Sequence, residues 1–234
     1  MEKSVAIITA RGGSKRIPKK NIKKFCGKPI IAYSIESALK SGVFDKIMVS
    51  TDSHEIAETA RKYGAEVPFM RSRKASDDYA TTSDVLLEVI EEFEKKEEYF
   101  SYACCIYPTA PFVTAEKLKA AMQELENKKA DTVIPVMPFS YPPQRGIIIK
   151  EGFAELKWEQ YRDSRSQDLE TLYHDCGQYY AFLVESLKKN KNLLSGKIVS
   201  LVQSPLEAQD IDSLDDWQLA ELKYKLMKEN KSCR

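Results

Sequence analysis

The chain of 234 residues is poor in histidine, with only two, and it has no Cys-x-x-Cys spacing. Both facts argue against a zinc site. The five cysteines, Cys26, Cys104, Cys105, Cys176 and Cys233, are odd in number and irregularly placed. Reduced thiols in a cytoplasmic protein are expected, not a disulfide frame. No apolar run approaches the roughly 18 residues of a spanning helix, so no membrane association is expected. The first residues lead directly into a strand-like run, and no secretory leader is expected there. An excess of one charge is missing too: 36 Lys and Arg face 35 Asp and Glu, a net of +1. That balance excludes a broad nucleic-acid surface. Neither Gly-x-Gly-x-x-Gly nor Gly-x-x-x-x-Gly-Lys-Ser/Thr occurs, which disfavours a nicotinamide-dependent oxidoreductase. Gly-x-Ser-x-Gly is absent as well, so His174-Asp175 has no serine-hydrolase context. There are no internal repeats and no low-complexity tracts.

Charge is instead concentrated at one place. The run Val5-Ala6-Ile7-Ile8 is short, apolar and rich in β-branched residues, and reads as a buried strand. It empties into Thr9-Ala10-Arg11-Gly12-Gly13-Ser14-Lys15-Arg16-Ile17-Pro18-Lys19-Lys20-Asn21. Gly12 and Gly13 are expected to let the backbone turn sharply and approach a ligand with its N–H groups. Arg11, Lys15, Arg16, Lys19 and Lys20 put five positive charges into the same loop. A basic loop behind a buried strand is suited to a polyphosphate.

Beyond it, strands and helices alternate. Helices are predicted over 29–39, 54–63, 82–96, 114–128 and 214–228, with Thr82 or Ser83 capping the third. Strands are predicted over 45–50, 66–70, 102–107, 132–136, 177–182 and 198–202. This alternation predicts an α/β fold: a mostly parallel central sheet with helices on both faces. Ligands of such sheets bind beyond the carboxyl ends of the strands. The polar segments 11–20, 51–52, 71–84 and 108–112 all fall there. With 43% hydrophobic residues, residues 1–234 are expected to form one domain. Within it, 139–175 reads as an insertion. Residues 146–153 and 154–158 predict an apolar hairpin turning at Glu151-Gly152, a face suited to a second copy of the chain.

Near the other end stand Asp210 and Asp212. In an extended segment both carboxylates face one side, and an all-oxygen pair suits Mg²⁺ shared with substrate phosphates. Capping of the last helix is the competing reading, above all for Asp215 and Asp216. A basic phosphate loop and a carboxylate pair are together what nucleotidyl transfer needs.

Residues 10–21 closely resemble the signature of the CMP-sialic acid synthetases, the acylneuraminate cytidylyltransferase family. Ser50-Thr51-Asp52-Ser53, Arg71 with Thr82-Ser83-Asp84, Pro108-Thr109-Ala110-Pro111-Phe112 and Asp210-Ile211-Asp212 are similar to later motifs of that family, in order. Residues 139–145, 177–182 and 215–217 look most like its pseudaminic acid branch; the glutamine usual in the neuraminate enzymes is here Tyr107.

The resemblance implies a nucleotide-diphosphosugar transferase-like fold with a dimerisation hairpin at 139–175. It also implies CTP and a nine-carbon keto sugar acid as substrates and Mg²⁺ as cofactor. Arg11, Lys20, Asp210 and Asp212 would be catalytic, and Asp210 and Asp212 would bind the metal. Ala10, Arg11, Gly12, Gly13, Ser14, Lys15, Lys19, Lys20, Asn21, Arg71, Ala80, Thr82 and Ser83 would bind the nucleotide. Tyr107, Thr109, His174, Gln178 and Tyr179 would contact the sugar. Neuraminic, legionaminic and 3-deoxy-octulosonic acids are alternative acceptors, and a non-catalytic nucleotide-binding module is the rival of another class.

Overall fold

Strand β1 (Ser4–Thr9) is buried along almost its whole length, as expected of a continuous β-branched run covered on both faces. The computed structural model describes residues 2–232. After β1, the short strands β2 (Lys24–Phe25) and β3 (Lys28–Pro29) form a small hairpin. Helix α1 (Ile31–Ser41) stops at Gly42, whose φ of 63° only glycine adopts cheaply. Then follow β4 (Lys46–Ser50), α2 (His54–Lys62), α3 (Thr82–Glu94), β5 (Tyr102–Ile106), α4 (Ala115–Asn127) and β6 (Thr132–Pro138). Strands β7 (Ile147–Lys150) and β8 (Phe153–Leu156) pair only with each other. The chain closes with β9 (Tyr173–Asp175), β10 (Tyr179–Leu183), α5 (Val184–Asn190), β11 (Ile198–Val202) and α6 (Leu214–Ser232).

The central sheet has seven strands in the order β11-β6-β10-β5-β1-β4, with β9 pairing β6 as well. Strands β1, β4, β5, β6 and β11 run one way, and β9 and β10 run against them. The sheet is thus mostly parallel, with its carboxyl-end loops at one edge. Reversed β10 brings its amino end to that same edge: Tyr107 N donates to Gln178 O at 2.9 Å.

Two apolar clusters fill the faces. Ile8, Ile31, Ile35, Leu118 and Leu125 belong to one, and Val5, Ile7, Leu86, Val89 and Phe93 to the other. A third cluster lies off the sheet. It joins Ile17, Phe25, Ile30, Tyr33 and Phe112 to Ile211, Trp217 and Ala220. Phe25 meets Tyr33 and Trp217 edge-on, with centroids 5.5 and 5.6 Å apart. Edge-to-face contacts of this kind add to the burial of the rings.

Two expectations need correction. Residues 66–70 make only a bridge, Glu66 to Met48, because Pro68 has no N–H to donate to a ladder. The cap of α3 is Thr81, not Thr82 or Ser83; its hydroxyl accepts from Asp84 N while Asp84 accepts from Thr81 N, a capping box. The backbone bends at Gly12, where Ser14 N donates to Gly12 O at 3.0 Å, without a positive φ at Gly12 or Gly13. Gly12 also serves closeness, since a Cβ there would stand 3.1 Å from Ser53 Cβ, whereas one on Gly13 would meet nothing within 4 Å.

Candidate active site

The loops at the carboxyl edge enclose a cleft of about 360 Å³. Its walls come from three stretches of chain: the basic loop after β1, segment 71–85, and Asp210 with Asp212. Tyr107, Pro108 and Thr109, beyond β5, also line it.

The basic loop is fixed from behind. Ala10 N donates to Ser50 O at 2.9 Å, Gly12 N to Asp52 Oδ1 at 2.7 Å, and Asn21 Nδ2 to Arg11 O at 2.8 Å. Ile17 is only 1% exposed and anchors the middle of the loop in the third cluster. The same cluster takes Ile211, also 1% exposed, from the acidic segment. No strand is assigned at 210–212, yet the alternation holds: Ile211 points inward while Asp210 and Asp212 face the cleft. Shared packing therefore brings the two ends of the chain together.

The ion pairs record the result. Lys20 Nζ lies 3.6 Å from Asp212 Oδ1 and donates to Ile211 O at 2.7 Å. Arg16 Nη2 reaches Asp212 Oδ1 at 2.8 Å. Partial desolvation and then the neighbouring Asp212 charge raise the Asp210 carboxyl above the usual aspartate range, with Lys20 pulling the other way. Gly177 packs beside it; a Cβ there would be 3.9 Å from Asp210 Cγ.

Capping and cleft roles divide cleanly among the acids. Asp216 Oδ2 accepts from Ser213 N and Ser213 Oγ at 2.8 and 2.7 Å, which opens α6 and lowers the Asp216 carboxyl. Asp212 turns its side chain to Arg16 and Lys20 instead. Among the described residues no group of three or more His, Cys, Asp or Glu side chains forms a metal cage. Two carboxylates alone fit an ion whose other ligands are nucleotide oxygens and water.

Arg11, Ser14, Lys15, Lys20, Asn21, Arg71, Ala80, Thr82, Tyr107, Thr109, Asp210 and Asp212 all line the cleft. Lys19 turns aside to Glu55, 2.8 Å away. Arg71 is buried, and its Nε and Nη2 donate to Ser50 Oγ at 2.9 Å and Ser50 O at 2.6 Å. Ala10, Gly12, Gly13 and Ser83 are not in the wall. Nor are His174, Gln178 and Tyr179. The His174 ring stacks obliquely on Phe139 with centroids 4.8 Å apart. Gln178 is buried and donates to Glu207 O at 3.2 Å. Tyr179 lies in the sheet core and does not reach the cleft wall. Strand alternation puts its neighbour Tyr180 on the other face, in the second cluster, where its ring meets Tyr107 at 5.7 Å and its hydroxyl donates to Asp175 Oδ2 at 2.5 Å.

Sequence reasoning overlooked Asp78, which lines the cleft. Asp78 pairs with Arg11 at 3.0 Å and with Lys15 at 2.5 Å. The dipeptide Asp77-Asp78 in an otherwise basic and polar segment was the available signal.

A model of cytidylyltransferases matches residues 5–208. The chain belongs to that family. As a cytidylyltransferase it is 38% identical over 229 residues to a pseudaminic acid cytidylyltransferase of Campylobacter jejuni, covering 97% of this chain and 99% of that one. It is 33% identical to a CMP-N,N'-diacetyllegionaminic acid synthase of Legionella pneumophila, over 97% of each chain. Among solved structures, a CMP:2-keto-3-deoxy-manno-octonic acid synthetase complexed with CTP superposes with a TM-score of 0.68 at 16% identity. That match covers 97% of this cytidylyltransferase and 99% of the other chain, and it bears on the fold alone.

Proposed function

We propose that this cytidylyltransferase activates pseudaminic acid, a nine-carbon keto sugar acid, with CTP. The products are the CMP-sugar and pyrophosphate. The observation that carries the proposal is the convergence of Lys20 and Asp212, 3.6 Å apart, on one cleft. The similarity to the Campylobacter enzyme supports the choice of sugar.

In this reading Arg11, Ser14, Lys15 and Lys20 hold the triphosphate, and Asn21 braces the loop through the Arg11 carbonyl. Arg71, Ala80 and Thr82 border the base. Tyr107 and Thr109 border the acceptor, with Tyr107 held by Thr82 Oγ1 at 3.1 Å. The sugar's anomeric oxygen attacks the α-phosphorus, the α–β phosphoanhydride breaks, and pyrophosphate carries the charge away. Asp210, on the cleft wall, would take the hydroxyl proton. Asp210 and Asp212 would hold Mg²⁺, which when bound offsets charge at the attacked phosphate. Most of the rate then comes from positioning and charge compensation.

We further propose a homodimer built on 139–175. The hairpin leaves Ile149 78% and Phe153 74% exposed, a cost that a second copy would remove. Arg162 and Arg165 of this insertion are engaged by Glu159 and Asp168, so a sugar carboxylate would have to compete for them. The use of CTP and the four unpaired thiols among the described residues support a cytoplasmic enzyme.

The test is pyrophosphate release from CTP and Mg²⁺ with pseudaminic acid, and with N-acetylneuraminic, legionaminic and 3-deoxy-octulosonic acids in parallel. Pseudaminic acid is expected to give the highest kcat/KM. Preference for another acid reassigns the sugar; no release with any of them removes the transferase reading.

A further inference from the structure

Arg11 and Lys15 are exposed, 40% and 76% by side chain, but neither is unpaired. Both grip one carboxylate, each through its own oxygen: Arg11 Nη1 is 3.0 Å from Asp78 Oδ1, and Lys15 Nζ is 2.5 Å from Asp78 Oδ2. A carboxylate held this way presents the same oxygens to the same cations as a phosphate would. Asp78 is aimed by its neighbour. Asp77 Oδ1 accepts from Tyr79 N at 2.9 Å and from Ala80 N at 2.7 Å, a local turn that fixes the direction of the segment. The base of the segment is tied to α3, where Ser72 N donates to Glu88 Oε1 at 3.0 Å. Asp78 itself lies in the cleft wall opposite the basic loop.

We propose that Asp78 is a built-in competitor of the polyphosphate, a residue that sets the affinity of the site for CTP and for pyrophosphate. The inference rests on the proposed role of the basic loop as the triphosphate site. Phosphate oxygens and Asp78 cannot both occupy Arg11 and Lys15 without like-charge repulsion, so nucleotide binding breaks both pairs. Affinity is lower by what those pairs contribute. When pyrophosphate leaves, Asp78 regains the cations, which favours release of the product.

The experiment is isothermal titration of CTP and of inorganic pyrophosphate into the wild type, Asp78→Asn, Asp78→Glu and Lys20→Ala. Asp78 is exposed, so Asp78→Asn is expected to fold. It should bind both ligands more tightly, by roughly three- to tenfold. Asp78→Glu keeps the charge and should stay near the wild type. The gap should shrink as salt is raised, and pyrophosphate should inhibit Asp78→Asn turnover at lower concentration. If Lys20→Ala weakens CTP binding while Asp78→Asn binds no more tightly than the wild type, the competitor role is overturned. If Lys20→Ala binds CTP like the wild type, the triphosphate site itself is wrong, and the failure lies there.

Discussion

Lys20 meets Asp212 at the cleft, Nζ to Oδ1 at 3.6 Å, although Ile211, whose carbonyl it also caps, is 191 positions further along the chain. Neither charge brings the other there, because a half-buried pair at 3.6 Å gains little over the hydration it gives up. The apolar side chains beside them do. Ile17 and Ile211 share a cluster with Phe25 and Trp217, and each carries a charged segment of the cleft on its outward side.

Ile211→Ala should therefore act on both stability and function. Losing this buried side chain is expected to cost about 2–5 kcal/mol, and Ile211→Val about 0.5–1.5 kcal/mol. Urea unfolding measures the first effect. Turnover should follow the same order, with the alanine variant slower than the valine one, as Asp210 and Asp212 lose their backing.

Asp210 gives a pH dependence of definite sign. The folded chain holds the Asp210 proton more tightly than the unfolded chain, because desolvation and Asp212 raise its pKa. Ionising the group thus lowers stability as pH rises through the raised value. Asp210→Asn avoids that loss. In metal-free buffer it should melt above the wild type at neutral pH, and the difference should close as pH falls through the raised value into the ordinary aspartate range. Its turnover should nevertheless drop, since the proposed base and metal ligand is gone. A wild type that melts above Asp210→Asn at neutral pH would contradict the strain assigned to this carboxylate.

Arg71 is expected to resist conservative replacement. Its guanidinium serves the Ser50 hydroxyl and carbonyl through two separate nitrogens. A lysine offers one head group to both and leaves an acceptor short, at about 1–3 kcal/mol. For a chain of this size that is a fall in Tm of about 2–4 °C per kcal/mol, readable by calorimetry. CTP affinity should fall as well, because Arg71 shapes the cleft floor.

The alternation of buried runs and amphipathic helices was legible in the sequence because it rests on periodicity. Strand direction was not. The run Tyr179–Leu183 is apolar whichever way it points, so its antiparallel placement emerges only from pairing. Position 179 or 180 is a choice between odd and even that no local signal decides; the sheet buries Tyr179 in one cluster and Tyr180 in the other. Thr81, Thr82 and Ser83 are equally good caps on paper, and the reciprocal bond from Asp84 selects the first. In the cleft, the basic loop and the Asp210/Asp212 pair stood out by charge and spacing. Asp78 did not, because its role depends on facing Arg11 and Lys15 across the cleft.

The central claim is that the two ends of the chain serve one nucleotide, and calorimetric titration of CTP with and without Mg²⁺ tests it most directly. Lys20→Ala is expected to weaken CTP binding about tenfold or more in both conditions. Asp212→Ala is expected to retain metal-free binding but to lose the gain in affinity that Mg²⁺ confers on the wild type. If Asp212→Ala keeps the full Mg²⁺ gain while Lys20→Ala loses CTP, the acids and the basic loop act on different ligands and the account is wrong.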